Sequence, residues 1–370
     1  MRIGIIGAGQ LGQMLGAAAR DIGHTCVFLD PAENPPAASV GPVLCARYDD
    51  RRALTDLADR VDVLSYEFEN VPVESLAGLT PQRPIYPPPA ALRLAQDRLS
   101  EKDLFGRLDI PVPRYRAVGS RADVESAIAE LGLPLVLKTR RYGYDGKGQF
   151  LLRSVDDTDR AWHALGHDDL IAETWVPFDR ELSVIGARAI DGSTCTWPLT
   201  ENRHTEGILR TSVAPVDAPA LSALATAYMQ RLLTTLDYVG VLALELFVTG
   251  DELLANEFAP RVHNSGHWTI EGSATSQFAN HVRAITGDAL GPADCHKFAG
   301  MVNLIGAIPD AVRRFDDPRA TLHDYGKSPR AGRKLGHVTV LAARAEERDR
   351  LLCELQSCLG QAAGLQRLST

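Results

Sequence analysis

The 370-residue sequence predicts an α/β protein with an α+β middle section, and three observations carry that expectation. From residue 1 to about 90, strand-like and helix-like segments alternate, the rhythm of βαβ units around a parallel sheet. From Glu181 to Pro260 the pattern changes to antiparallel strands with one long helix inserted near 218–236. The length also exceeds what one core usually fills, so two or three packed domains are expected.

Taken in order, strands are expected at 2–6, 25–30 and 61–66, with helices at 10–21 and 49–60 between them. The proline cluster Tyr86-Pro87-Pro88-Pro89 marks a boundary, because consecutive prolines continue neither a helix nor a ladder. A helix over 90–108 is closed by Pro111-Val112-Pro113. A short α/β stretch follows: a strand near 114–118, a helix over 120–131, and the apolar strand Pro134 to Lys138. The loop Arg140 to Gly148 then leads into a strand at 149–152, and glycines so placed let backbone N–H groups approach a ligand closely. After residue 299 the chain returns to short strands and a charged helix near 345–359.

Composition narrows the function classes. A formal charge of -8 and a pI near 5.7 argue against a nucleic-acid surface, which points to small-molecule partners. The six cysteines, at 26, 45, 195, 295, 353 and 358, show no C-x-x-C and no metal-ligand spacing, as expected of idle thiols in a reducing compartment. No apolar run approaches the ~20 residues of a membrane span, and the N-terminus lacks the cleavage region of a secretory signal. A cytoplasmic protein that does not engage a membrane is expected.

Gly7-Ala8-Gly9-Gln10-Leu11-Gly12 follows the first strand, and Asp30 ends the next, as in a dinucleotide-binding turn. The motif is weak, because any tightly packed first βα turn selects the same glycines. A different nucleotide site is better supported. Lys138 ends an apolar strand five residues before Gly143-Tyr144-Asp145-Gly146-Lys147-Gly148-Gln149, and a strand-borne lysine with a glycine loop holds polyphosphate through point charge and backbone donors. The other reading of Lys138 is a strand-end lysine reaching for solvent. Glu173-Thr174-Trp175-Val176 and Glu181 follow the next apolar strand, where the carboxylates either meet an adenosine or end solvated strands.

Glu245 and Asn256-Glu257 lie in two apolar strands joined by the turn at Gly250-Asp251. Acids facing each other across such a pair repel unless a hard cation bridges them, which points to a divalent metal on a nucleotide; the other reading is a pair of carboxylates on a solvated face. Arg261-Val262-His263-Asn264-Ser265-Gly266-His267-Trp268-Thr269 follows directly and supplies groups for a small planar anion. The His263/His267 spacing suggests zinc, but Pro260 and Gly266 argue against a regular helix and a third acidic ligand is not evident.

Together these motifs resemble the ATP-grasp superfamily. With Met14, Tyr66-Glu67-Phe68-Glu69-Asn70-Val71, Glu201-Asn202-Arg203-His204 and Gly332-Arg333-Lys334-Leu335-Gly336-His337, the chain is similar throughout to the N5-carboxyaminoimidazole ribonucleotide synthases. The resemblance implies three domains: a parallel-sheet domain over 1–95, an ATP-grasp module over 96–295 with a small lobe near 100–175, and a C-terminal domain over 296–370. It implies that Arg98, Lys138, residues 143–149, Glu173 to Val176, Glu181, His204, Asn256 and Glu257 surround ATP, and that Glu245 and Glu257 bind Mg2+, or Mn2+ in its place. Gln10, Leu11, Glu67 and Asn70 would face 5-aminoimidazole ribonucleotide (AIR), and Lys327, Arg333 and Lys334 its phosphate. Tyr144, Arg261, His263 and Lys334 would serve bicarbonate and carboxyl transfer. It further implies a homodimer and, beyond that, hand-over of product to a carboxyaminoimidazole ribonucleotide mutase. Arg140-Arg141-Tyr142 and Gln13 depart from the family pattern without removing a reacting group.

The rivals are another ATP-grasp ligase, such as a formate-using glycinamide ribonucleotide transformylase or biotin carboxylase, a non-catalytic nucleotide sensor, and an NAD-dependent oxidoreductase. Acceptor-dependent ADP release separates the first two from the expected activity, and NADH titration tests the third.

Overall fold

The computed structural model describes residues 1–79, 83–143, 146–166 and 169–360. Its first sheet is parallel, with strands β1 (Arg2–Ile6), β2 (Thr25–Asp30), β3 (Val43–Cys45) and β4 (Val63–Tyr66) in the order β3-β2-β1-β4. Strand β1 is buried after its first residue, and its Ile3 and Ile5 pack with Leu15 of the helix Gln10–Asp21 in one apolar cluster. The helix Arg51–Asp59 starts where Asp50 accepts from the N–H groups of Arg52 and Ala53, satisfying donors that the first turn leaves open.

Where one helix is expected over 90–108, the structure has two, Pro89–Ala95 and Arg98–Arg107. The break comes from Asp97, whose carboxylate accepts from Leu99 and Ser100 and so begins a second helix in place of continuing the first.

A second sheet, antiparallel throughout, contains β5 (Tyr115–Val118), β6 (Leu135–Thr139), β7 (Gln149–Leu152) and β8 (Leu170–Thr174) in the order β5-β8-β6-β7. Its apolar face is covered by the helices Arg121–Leu131 and Thr158–Leu165.

The third sheet has nine strands: β9 (Arg180–Arg188), β10 (Thr194–Thr196), β11 (Thr200–Thr205), β12 (Ile208–Ala214), β13 (Gly240–Thr249), β14 (Glu252–Ala259), β15 (Phe298–Ile305), β16 (Ala320–Asp324) and β17 (Lys334–Ala342). The order is β14-β13-β9-β11-β12-β15-β17-β16, with β10 on β9. The expected long helix is present as Pro219–Thr235, packed on β9 and β13 through Met229, Leu232 and Leu233. Strand β15 pairs with β12, so the C-terminal strands extend the central sheet and share its hydrogen bonds. That continuity brings the chain after residue 320 back over the first domain, where the Lys327 ammonium donates to the Gln10 side chain.

Candidate active site

At the N-terminal glycine turn, a protein carboxylate stands where a dinucleotide would need a phosphate. Glu67, just past β4, accepts from the N–H groups of Gly9 and Gly12 through its two oxygens. A Cβ on Gly9 would fall 2.8 Å from Glu67 Oε1 and one on Gly7 2.4 Å from its Cγ, so the glycines make room for this side chain. Asp30, the would-be ribose acid, accepts from Ala8 N at 2.9 Å and from the Tyr48 hydroxyl at 2.8 Å. The donors and the acid of a dinucleotide site are therefore committed internally, and the oxidoreductase expectation loses its basis.

Burial raises the Glu67 pKa and the Gly12 and Gly9 amides oppose that rise. Lys327 is pushed down to about 8, by burial first and then by the nearby Arg333 and Lys334 charges, with Glu67 pulling the other way. The basic side chains of the C-terminal segment thus gather over the first βα turn. Of the residues expected to face AIR, Gln10 and Glu67 lie at this junction and Asn70 is exposed, while Leu11 is packed in the first domain's core.

In the small lobe, Lys138 on β6 donates to Glu173 Oε2 on β8 at 2.9 Å. Glu173 is 2% exposed, which removes the solvated-strand-end reading. Burial works against its charge, but Lys102 and Lys138 outweigh it and hold the carboxyl down at about 2. Lys138 is likewise no solvated strand end, since its ammonium is directed inward onto this carboxylate. Thr174 and Val176 are half-buried and Trp175 is exposed in the segment leaving β8.

The glycine loop folds back on β6. Gly148, at φ +72°, sits where a Cβ would come 2.5 Å from Thr139 Oγ1, and Gly146, at φ +75°, where one would come 3.0 Å from Gly207 Cα on the large lobe. Lys147 is exposed at the loop and Gln149 opens β7 opposite Lys138. Gly143 lies beside Arg98, whose Nη2 is 3.3 Å from the place of a Gly143 Cβ. Tyr144 and Asp145 lie outside the described residues.

On the large lobe, the register between β13 and β14 slips between Leu244 and Leu246, since Leu244 pairs with Phe258 and Leu246 with Ala255. This bulge sets Glu245 against Asn256 and Glu257. The Asn256 amide donates to Glu245, and Arg98 Nη1 donates to Glu257 Oε2 at 2.5 Å. Burial and then repulsion from Glu257 push Glu245 up to about 7, whereas burial of Glu257 is outweighed by Arg98, which keeps it below its ordinary value. Glu181 on β9 meets His204 Nδ1 at 2.7 Å; despite burial, this pairing and the Glu245 charge raise His204.

Next to these acids, His263 Nε2 lies 3.3 Å from Glu245 Oε1, and its Nδ1 faces Ser265 Oγ at 2.9 Å. Burial, Arg261 and Lys334 drive its pKa down to about 3, so the ring is neutral at pH 7. Arg261 donates from Nη2 to Glu69 Oε1 at 2.8 Å and from Nε to Glu69 Oε2, a bidentate clasp between the central module and the first domain. Lys334 lies close enough to act electrostatically on both His204 and His263. His267 is buried against the Phe278 and His337 rings, at 5.5 and 5.0 Å, so it does not join His263 in a zinc site. Among the described residues no group of three or more His, Cys, Asp or Glu is arranged to hold a metal by itself.

Sequence reasoning missed four charged groups here. Glu69 clasps Arg261, Asp97 takes Arg140 at 3.0 and 2.6 Å and Arg141 at 3.3 Å, and Glu101 and Lys102 lie buried beneath β14. The helix spacing held a signal, since Arg98 and Lys102 stand at i and i+4 on one face. The unusual Arg140-Arg141 pair was visible, but its partner was not.

Comparison with known proteins agrees with this geometry. Residues 1–96 match the ribonucleotide synthetase preATP-grasp domain, 103–278 the ATP-grasp domain and 299–350 the phosphoribosylaminoimidazole carboxylase C-terminal domain. The chain is 49% identical to the N5-carboxyaminoimidazole ribonucleotide synthase of Pseudomonas aeruginosa, over 93% of its own length and 95% of that protein's. It superposes on the N5-carboxyaminoimidazole ribonucleotide synthetase of Thermus thermophilus with a TM-score of 0.92 at 44% identity, covering 99% of both chains. The Aspergillus clavatus N5-carboxyaminoimidazole synthase solved with ADP and 5-aminoimidazole ribonucleotide gives 0.89 at 30% identity, covering 97% of both. Folded around paired acids between two lobes and matched along nearly its whole length, the chain belongs to the N5-carboxyaminoimidazole ribonucleotide synthase family of ATP-grasp ligases.

Proposed function

We propose that this chain carboxylates the 5-amino group of AIR, using ATP and bicarbonate, and releases N5-carboxyaminoimidazole ribonucleotide, ADP and phosphate in purine synthesis. The observation that carries this reading is the convergence on one acid pair, Glu245 and Glu257, of groups from separate parts of the chain: Arg98 of the helix Arg98–Arg107 on Glu257, His263 after β14 on Glu245, and the Lys138–Glu173 pair of the second sheet acting on the same cluster.

Bicarbonate is a poor electrophile, so a leaving group must first be placed on its carbon. One bicarbonate oxygen attacks the γ-phosphorus, the bond to ADP breaks, and carboxyphosphate forms. Arg98, Lys138 and the 146–148 backbone hold the phosphates, Glu181 and His204 the nucleoside, and the segment 173–176 the base. The acid pair fits a divalent cation, Mg2+ or Mn2+: its oxygens are hard donors, and their mutual repulsion in the bare protein is what such an ion relieves. When bound, the ion neutralises charge on the transferring phosphoryl group.

Arg261, aligned by Glu69, and neutral His263 orient bicarbonate and then carboxyphosphate. Collapse of carboxyphosphate to CO2 and phosphate leaves the carbon for the AIR amine, whose lone pair forms the new C–N bond. The amine then loses a proton, which Tyr144 or His263 relays. Lys327, Arg333 and Lys334 take the AIR phosphate over the first βα turn, where Gln10 and Glu67 already lie. We read 1–95, 96–295 and 296–370 as three units assembled around this site, in a cytoplasmic homodimer that passes its carbamate to a mutase. Six free cysteines support a reducing compartment, and among the described residues no helix is long and apolar enough to cross a membrane.

ADP release measured with AIR and bicarbonate, with glycinamide ribonucleotide and formate, and with biotin and bicarbonate tests the reading. Release should require AIR and bicarbonate together; release with another pair, or nucleotide binding without turnover, would overturn it. Light scattering of the purified chain tests the dimer, and a monomer at micromolar concentration refutes it.

A further inference from the structure

The helix Arg98–Arg107 carries two buried ionisable side chains that the proposed chemistry does not use, Glu101 at 2% and Lys102 at 1% exposure. Both are aimed at β14, the edge strand of the nine-stranded sheet. Lys102 Nζ donates to the carbonyls of Asn256 at 2.7 Å and Ala255 at 3.3 Å, and Glu101 Oε1 accepts from Phe258 N at 2.7 Å. These contacts bracket Asn256 and Glu257, the residues β14 presents to the acid pair. As an edge strand β14 has no partner strand on this side; the Pro111 carbonyl accepts from Ala255 N at 2.7 Å, and the helix side chains hold the stretch that follows.

Lys102 also reaches the other lobe. Its ammonium lies 3.6 Å from Glu173 Oε2 on β8, the oxygen that Lys138 engages. Glu173 Oε1 is buried and has no hydrogen-bond partner among the described residues. One cation therefore touches the backbone of the metal-acid strand and the buried carboxylate of the nucleotide lobe. Such a placement is expensive in desolvation and is retained where it fixes one arrangement.

We propose that Lys102 is a positioning residue for nucleotide and metal: it ties Glu173 of the small lobe to the backbone presenting Asn256 and Glu257, so the two lobes hold the magnesium nucleotide in mutual register. The inference rests on the ATP-dependent reading above. Lys102 touches neither substrate nor metal in this scheme and acts through Glu173 and β14.

The experiment compares Lys102→Met, Glu173→Gln and the double variant with the parent, by calorimetric titration of Mg2+-ADP and by steady-state kinetics. A parent without AIR- and bicarbonate-dependent ADP release defeats the underlying reading; a competent parent isolates the proposal. Lys102→Met should weaken Mg2+-ADP binding and raise the ATP KM by about tenfold, within the range of a coupled buried pair, while the AIR KM stays within about twofold. The double variant should be little worse than the weaker single variant, because both changes sever one tie. Unchanged Mg2+-ADP affinity, a parallel rise in every KM, or additive losses would overturn it. Should Lys102→Met fail to fold, Lys102→Gln, which keeps donors for the carbonyls but drops the charge on Glu173, reads the same quantities. Failure of that variant to fold as well assigns Lys102 a purely structural role and also overturns the proposal.

Discussion

The acid pair makes a quantitative statement about metal binding and pH. In the bare protein Glu245 is pushed up to about 7 by burial and by Glu257, so near neutrality it is largely protonated below that value and ionised above it. A cation that takes Glu245 as a ligand must displace that proton. The apparent metal affinity then falls by about tenfold for each pH unit below 7 and levels off above it. The half-saturating Mg2+ concentration for ADP release, at fixed saturating ATP, should be about tenfold higher at pH 6 than at pH 8 by the same competition. Stability has the opposite pH dependence to metal affinity: a carboxyl raised by folding contributes stability below its ordinary value near 4.5, and that contribution is lost as pH rises through 7. The metal-free protein should therefore lose thermal stability from this group between pH 5 and 8, and added Mg2+ with ADP should restore more at pH 8 than at pH 6. The control is Glu257→Gln, which removes the repelling charge but not the burial, and should move the midpoint of the Mg2+ dependence to lower pH. A half-saturating Mg2+ concentration that does not change between pH 6 and 8 in the parent would refute the argument.

Glu257→Gln should also lower kcat for ADP release by roughly 10² to 10³, the scale of losing one preorganised electrostatic contact, with a melting temperature close to the parent's. Gly9→Ala places a Cβ 2.8 Å from Glu67 Oε1, so it should destabilise by about 1–3 kcal/mol in chemical denaturation and raise the AIR KM more than the ATP KM. Asp97→Asn keeps a cap for the helix but weakens the hold on Arg140; we expect about 1–3 kcal/mol of lost stability and a higher ATP KM, and a variant matching the parent in both would show that the Asp97–Arg140 contact is not used. NADH titrated against the parent should show no saturable fluorescence change, because Glu67 and Asp30 already occupy the donors and acid of the glycine turn.

Much of this protein was legible in one dimension because its signals are local. A change of hydrophobic period reports whether strands are covered by crossover helices or by their neighbours, which is why the parallel first sheet and the inserted helix Pro219–Thr235 could be read directly. Acids inside apolar strands, Glu245 and Glu257, were conspicuous because such strands rarely carry charge without a reason. Tertiary structure alone decided what the glycine turn holds. The residues Gly9 and Glu67 are separated by 58 positions, and nothing in G-x-G-x-x-G says whether phosphate or carboxylate accepts from its amides. The same limit hid the partners of Arg261, Arg140 and Lys102: a charged side chain discloses its demand for a counter-charge, but burial and long-range contact determine which residue meets it. The sequence by itself determined which chemical groups are available and which segments carry them. Packing decided which of them are spent on holding the lobes together and which remain to face a substrate, since desolvation and Coulomb energy depend on distances that only the folded chain defines.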